Sequence, residues 1–372
     1  MGWGVPVGRP VPPPAAYYRH GLRVAVEPGT RFGYSNHGFT ALGQVVEDVT
    51  GVPLATYLRA HVFAPLGMDA TGLARPASGR ATGYRLRAHG PAAVRDLEVV
   101  TAAGGGAWST ARDLARFAEA LLGGGTNEHG SVLRPATLAT MFAPQYQPDP
   151  RVPGIGLAFL RGEVGGHRTV GHDGIWLGFL ADLRIAPDDG VGVLALASTG
   201  NFEPRGAPAS AVEALLRLLL DAPEQDDDAV PERPWTWPEL CGRYGFGPGV
   251  LVDPQPRLLL GAGLEVAVRH GHLVLRGQMP VPAVRRGLRL HPDREDPDVF
   301  RVDLSSLGLG PTRVVFGRDP GGAVAALHLT PLPMSFVRRP DRHQRARAAG
   351  QPPAAARPAP VASLPWPTQS GT

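Results

Sequence analysis

Lysine is absent from the 372 residues, and all 37 basic side chains are arginine. A guanidinium stays protonated, so none of these arginines can act as a general base in place of lysine. Cysteine is reduced to Cys241, which excludes an intrachain disulfide framework. No stretch approaches the roughly 20 apolar residues of a membrane-spanning helix. The opening Met1-Gly2-Trp3-Gly4-Val5-Pro6 lacks the basic start and apolar run of a signal peptide. Neither sign of charge dominates: the formal net charge is +4, and the pI near 9.6 reflects arginine, so no nucleic-acid partner is expected. The expectation is a soluble chain, cytoplasmic by default, with export left open because any leader would lie upstream.

Apolar residues are plentiful. At 372 residues and 43% hydrophobic content, the chain is long enough for two domains with sizeable cores. Glycine and proline, at 49 and 40 residues, point to many turns and a loose tail. Composition divides the chain into a first domain over 1–221, an acidic linker over 222–234, a second domain over 235–339 and a disordered Ala/Pro/Arg-rich tail over 340–372. The linker carries Asp226-Asp227-Asp228, a run of like charge that stays solvated.

In the first domain Leu42, Val45, Val46 and Val49 fall on one helical stripe, with Gly51 placed to end the helix. Pro53 suits the first turn of a second helix running to near Gly67. A third starts at Ser109 or Thr110, with Asp113 completing the cap and Leu114, Phe117 and Leu121 facing a core. Extended segments follow over 156–164, 167–173 and 178–186, and Asp188-Asp189-Gly190 turns the chain into Val191–Ala197. A last helix, Ala209 to Leu220, presents Val212, Leu215, Leu216 and Leu219. Helices, an antiparallel meander and a closing helix predict an α+β fold: an α/β sandwich with a helical subdomain. A small antiparallel β-meander or barrel follows it. There Glu239–Tyr244 reads as an opening strand, and Val314-Val315-Phe316 pairs with Ala323–Leu329 across Asp319–Gly322.

Two stretches carry chemistry. Pro28-Gly29-Thr30-Arg31-Phe32-Gly33-Tyr34-Ser35-Asn36 stands just before the first helix, where Tyr34-x-Asn36 taken alone reads equally as a packed tyrosine and an asparagine helix cap. The second is His172-Asp173-Gly174 on an expected strand. Together with Phe63-x-Pro65-Leu66-Gly67-Met68, these stretches resemble the serine β-lactamase-like hydrolases, the family of class C β-lactamases, D-alanyl-D-alanine carboxypeptidases and related esterases. The resemblance implies that Tyr34 is the general acid/base phenol and that Asn36 orients the substrate. It also implies that His172 faces the nucleophile, that the Ile175 N–H forms half of the oxyanion hole, and that Gly174 keeps the strand open to a ligand. Gly104–Thr110 matches a further family element and reads as scaffold. Glu239–Tyr244 resembles the first strand of lipocalin-like modules appended to this family.

The family's first signature, Ser-x-x-Lys, supplies nucleophile and base, and without lysine it is absent here. A free phenol has a pKa of about 10 and needs nearby positive charge to work at neutral pH; the family's lysine provides that charge. Ser109-Thr110-Ala111-Arg112 follows the tyrosine motif instead of preceding it and serves as a helix cap. No Gly-x-Ser-x-Gly elbow exists. His270-Gly271-His272 fills a hairpin turn better than a metal site. The expectation is therefore a hydrolase scaffold of which an N-terminal portion is missing, with a small-molecule or peptide acyl substrate, no cofactor and no metal. In its intact form it would cleave a peptide, β-lactam or ester carbonyl through an acyl-enzyme; the chain as given would be inactive. The alternative is a binding protein that uses the remaining cleft or the β-module as a ligand carrier. An exposed sheet edge and apolar face are expected in either case.

Overall fold

The computed structural model describes residues 4–21, 24, 26–87, 89–200, 207–222, 230–247, 263–277, 282–293, 296–304, 311–330 and 333–340. The acidic run over 223–229 and the tail over 341–372 lie outside the described residues. A short strand β1 (Gly4–Pro6) and helical turn α1 (Pro14–Tyr17) precede α2 (Asn36–Thr50). The side chain of Ser35 accepts the Gly38 N–H at the start of α2, and Gly51 ends it in a left-handed conformation at φ 68°, the common C-terminal stop. Ser35, then, is the cap, and the reading of Asn36 as cap is corrected: Asn36 is already inside the helix. Next come α3 (Leu54–Leu58) and a π-helical turn over Arg59–Phe63. Pro53 is the residue before α3, outside its first turn.

Two small hairpin-like sheets follow, built from β2 (Tyr84–Arg87) with β3 (Gly90–Ala93), and from β4 (Leu97–Val99) with β1. The helical layer is completed by α4 (Ala102–Gly105), α5 (Ala111–Leu122) and α6 (Pro135–Phe142). Thr110 caps α5 by accepting the Asp113 N–H, as its spacing predicts. The short α6 starts on Pro135, a residue suited to a first turn.

A four-stranded antiparallel meander forms the centre of this part: β5 (Leu160–Val164), β6 (His167–Trp176), β7 (Phe179–Ala186) and β8 (Val191–Ala197), in that spatial order. The strand expected from residue 156 begins only at Leu160, because Ala158 holds a left-handed φ of 64°. On one face Val170 and Ile185 pack with Ala118, Leu121, Leu138 and Phe142 of α5 and α6. On the other, α7 (Ala207–Leu219) buries Val212 and Leu216 against Val164, Ala186 and Val193. Burying such a side chain fully is worth roughly 2 kcal/mol, so these few contacts hold the layer.

Parts of two apolar stripes face outward. On α2, Leu42, Val45 and Val49 are exposed, and on α7 so are Leu215 and Leu219. Periodicity marks an apolar face but not what covers it.

After a turn over Pro234–Thr236 and a short helix α8 (Trp237–Leu240), nine strand segments make one antiparallel sheet. They are β9 (Gly242–Phe246), β10 (Leu264–Arg269), β11 (His272–Gly277), β12 (Leu288–Arg289), β13 (His291–Pro292), β14 (Val299–Asp303), β15 (Pro311–Arg318), β16 (Val324–Leu329) and β17 (Met334–Arg339). Helix α9 (Pro282–Arg286) lies between β11 and β12. β17 pairs with β9, while β12 pairs with β11 and β13 with β14. Leu290, buried between β12 and β13, thus nearly closes the sheet into a barrel. Glu239 and Leu240 belong to α8, so the opening strand starts at Gly242, later than expected. His270 and Gly271 form the β10–β11 turn, both at positive φ, and His272 lies on β11 with Nδ1 3.1 Å from Glu232. Tyr244, Phe300, Phe316 and Phe336 fill the interior together with Leu273 and Leu327.

Met1–Arg339 form one compact unit, and specific contacts join its two parts. Arg151 reaches Asp296 at 2.9 Å and donates to the Phe316 carbonyl at 2.8 Å. Val152 packs with Val299 and Val315, and Glu163 on β5 pairs with Arg313 at 3.4 Å.

Candidate active site

β6 is longer than its neighbour. Its hairpin with β5 closes on the pair Val164–His167 and ends at Leu160–Gly171, whereas its hairpin with β7 closes on Trp176–Phe179. Both turns hold two residues, and in such hairpins the closing pair is hydrogen-bonded, after which bonding alternates along the strand. From the β7 side, residues 172, 174 and 176 therefore direct their backbone groups toward β7. From the β5 side, 167, 169 and 171 direct theirs toward β5. Residues 173 and 175 point the same way, beyond the point where β5 stops pairing. The Ile175 N–H thus lies on a stretch of strand edge that no described strand pairs. An incoming carbonyl oxygen can use the Ile175 N–H of such an edge.

His172 stands at the start of this stretch. It is exposed, and its Nδ1 lies 2.5 Å from the Asp173 carbonyl oxygen. Tyr34 approaches from the helical side: its ring centroid is 6.2 Å from that of His172, with the planes tilted by 36°. These two residues are 138 positions apart in the chain, and the structure brings them together. Gly174 lies two residues on, exposed, where an added Cβ would meet nothing closer than Ala181 at 3.6 Å. Space is therefore open beside the strand, although close approach does not force glycine there.

Asn36 is half-buried in the first turn of α2. Its carbonyl accepts the Thr40 hydroxyl at 2.9 Å. α4 rests against this turn so tightly that a Cβ on Gly104 would come within 2.7 Å of the Asn36 carbonyl oxygen. That contact requires glycine, and it gives the Gly104–Thr110 stretch its scaffold role. Beside it Tyr18 and His37 are joined, hydroxyl to Nδ1, at 2.7 Å.

Beneath the strand lies a group that the sequence does not single out. Asp182 on β7 is paired in register with Asp173 and is buried, 2% exposed. Its Oδ1 accepts Arg184 Nε at 3.1 Å, while its Oδ2 is buried without a partner. Burial holds this carboxyl above the ordinary carboxylate range, Arg184 opposes the shift, and Asp173 reinforces it. Only the three-dimensional register reveals this, because alternation in β7 leaves Asp182 looking like a solvent-facing residue. Chemically, a phenol and an imidazole lie side by side near a strand edge that carries a backbone donor, groups of the kinds that move a proton and receive a carbonyl oxygen.

The Beta-lactamase family model matches residues 11–218, more than half of the chain. Protein Rv1367c of Mycobacterium tuberculosis is 36% identical over 131 residues, covering 32% of this chain and 32% of that protein. Unguisins hydrolase ungD' of Aspergillus campestris is 30% identical over 222 residues, 56% of this chain and 40% of its own. The crystal structure of SurE aligns with a TM-score of 0.54 at 25% identity, covering 91% of this chain and 76% of that one. The matches thus span less than half the length of these curated relatives.

Proposed function

Since the chain belongs to the beta-lactamase family, as a serine β-lactamase-like hydrolase, we propose that its Tyr34–His172 cleft is the acid–base and oxyanion half of an acyl-transfer site. The observation that carries this reading is the 6.2 Å approach of the two rings beside the edge of β6 that no described strand pairs. In the reaction a serine hydroxyl attacks an amide, lactam or ester carbonyl. Tyr34 takes the hydroxyl proton and delivers it to the leaving group, and the carbonyl oxygen gains negative charge against the Ile175 N–H. Asn36 orients the acyl donor from α2, and His172 borders the leaving-group side. Water then cleaves the acyl-enzyme by the reverse proton path.

The serine and its partner amine are not among these residues, because Ser-x-x-Lys needs a lysine and the chain has none. We therefore assign hydrolysis to a form of the protein that carries that motif, and to the 372 residues alone a cleft that binds an acyl compound without turning it over. The barrel interior, filled by Tyr244, Phe300, Phe316 and Phe336, speaks against the β-module as a lipid or sugar carrier. A lipocalin-like module that braces the first part fits it better.

The test is a panel of D-amino acid amides, p-nitrophenyl esters and a chromogenic cephalosporin. The chain should bind members of the panel reversibly, Tyr34→Phe and His172→Ala should weaken that binding, and no product should form. Binding that both variants leave untouched would remove the cleft from the account.

A further inference from the structure

Tyr34 sits in the stretch 26–35, which forms neither helix nor strand. Two local hydrogen-bonded turns bracket part of it. Thr30 donates through its N–H and hydroxyl to the Glu27 carbonyl, and the Ser35 hydroxyl accepts the Gly38 N–H at 3.0 Å. The segment between them, Arg31 to Tyr34, is anchored on the C-terminal barrel. Phe32 packs against the barrel's apolar core. The guanidinium of Arg31 lies over Gly247, directly after β9, where an added Cβ would overlap it.

The other half of the site is anchored on the same body. β5, which pairs with β6 up to Gly171, is tied to the barrel by Glu163–Arg313 at 3.4 Å. The approach to β5 is tied by Val152 against Val299 and Val315 and by Arg151 against Asp296 and the Phe316 carbonyl. The tyrosine loop and the strand beside the histidine strand thus both contact the barrel.

We propose that the C-terminal barrel sets the distance between Tyr34 and His172, with Phe32 as the positioning residue through which it holds the tyrosine loop. The proposal rests on the acyl-transfer reading of that pair. Its weight comes from how steeply catalysis depends on placement: a shift of about 1 Å can cost on the order of 100-fold in rate. Packing of a neighbouring side chain restricts a loop that lacks regular structure. Phe32 supplies such packing two residues from the phenol.

The experiment reads geometry directly and needs no turnover. The full chain is labelled with 3-fluorotyrosine, and the Tyr34 resonance is identified by its loss in Tyr34→Phe. The adjacent His172 ring should move that resonance from its position beside no ring, and His172→Ala should abolish the movement. In Phe32→Ala the movement should be lost while the resonance of Tyr244, buried inside the barrel, stays in place. Phe32→Leu should restore much of it. If Phe32→Ala also displaces Tyr244, the series Phe32→Leu and Phe32→Val decides: movement that shrinks with side-chain size at an unchanged Tyr244 supports the role. Movement that persists undiminished in every Phe32 variant overturns the positioning role and leaves the acyl-transfer reading intact. No His172-linked movement in the unsubstituted chain would instead remove the Tyr34–His172 pair itself.

Discussion

Asp182 is the residue whose surroundings cost the fold most clearly. Its ionised form is disfavoured by burial and by Asp173 across the strand, with Arg184 as partial compensation. A carboxyl whose folded pKa lies above its unfolded value stabilises the fold relatively more at low pH, and that contribution is lost as pH rises through the folded pKa. Asp182→Asn keeps an oxygen for Arg184 and removes the buried charge. It should raise the melting temperature at pH 7, and the gain should fade as the pH falls toward about 4, near the unfolded carboxyl value. Thermal melts of both proteins across that range check it.

His328 behaves in the opposite sense. Burial pushes its imidazole below the ordinary histidine range; Asp149 opposes and Arg151 adds to the shift, and Nδ1 lies 2.9 Å from Ser335 Oγ. The unfolded ring takes a proton near pH 6.5 while the folded one resists. Stability is therefore present above that pH and lost as pH falls, by no more than about 1.4 kcal/mol per pH unit. Between pH 7 and pH 5 the unsubstituted chain should lose more melting temperature than His328→Gln. Neither residue stands out in the sequence, since a lone Asp on a strand and a lone His on another carry no pattern. Tyr34 and His172 do stand out, because each sits inside a longer run of specific neighbours.

At the scale of elements, local rules do well where the chemistry is local. The Thr110–Asp113 cap, the Gly51 stop, the turn into β8 and the β15–β16 hairpin all follow from short stretches of sequence. The first cap shows the limit. Ser35 and Asn36 are both good caps, and only the backbone at Ser35, with φ −147° and ψ 101°, decides between them. Ser35→Ala should cost about 1 kcal/mol of stability, measured by chemical denaturation. Asn36→Ala should cost less stability but should weaken binding in the cleft. α6 and α8 are short enough that their few apolar residues give no clear period, so Glu239 and Leu240 of α8 read from sequence like the start of a strand. The apolar stripes of α2 and α7 were legible as stripes, but what covers them depends on parts of space that periodicity does not describe.

The whole molecule presents a consequence of those uncovered faces. Among the described residues β8, Val191–Ala197, is an edge strand of its sheet and carries neither charge nor proline. Leu196 on that strand, Leu215, Leu218 and Leu219 on α7, and Phe39, Leu42, Val45 and Val49 on α2 are exposed. Apolar area of this kind drives association. Sedimentation should show concentration-dependent self-association of the chain, and Leu196→Lys with Leu218→Glu should shift it toward monomer. A monomer at every concentration, melting in one sharp transition, would contradict this. The barrel's place beside the tyrosine loop was not legible, since Phe32 and β9 lie some 210 residues apart and no local pattern joins them.

We propose that Tyr34 and His172 form the acid–base part of an acyl-transfer site and that these 372 residues lack the Ser-x-x-Lys nucleophile to serve it. Intact-mass spectrometry after incubation with a fluorophosphonate and with a penicillin probe tests it most directly. The account predicts an unchanged mass with both reagents. A stoichiometric adduct mapped to any serine of the chain would contradict it.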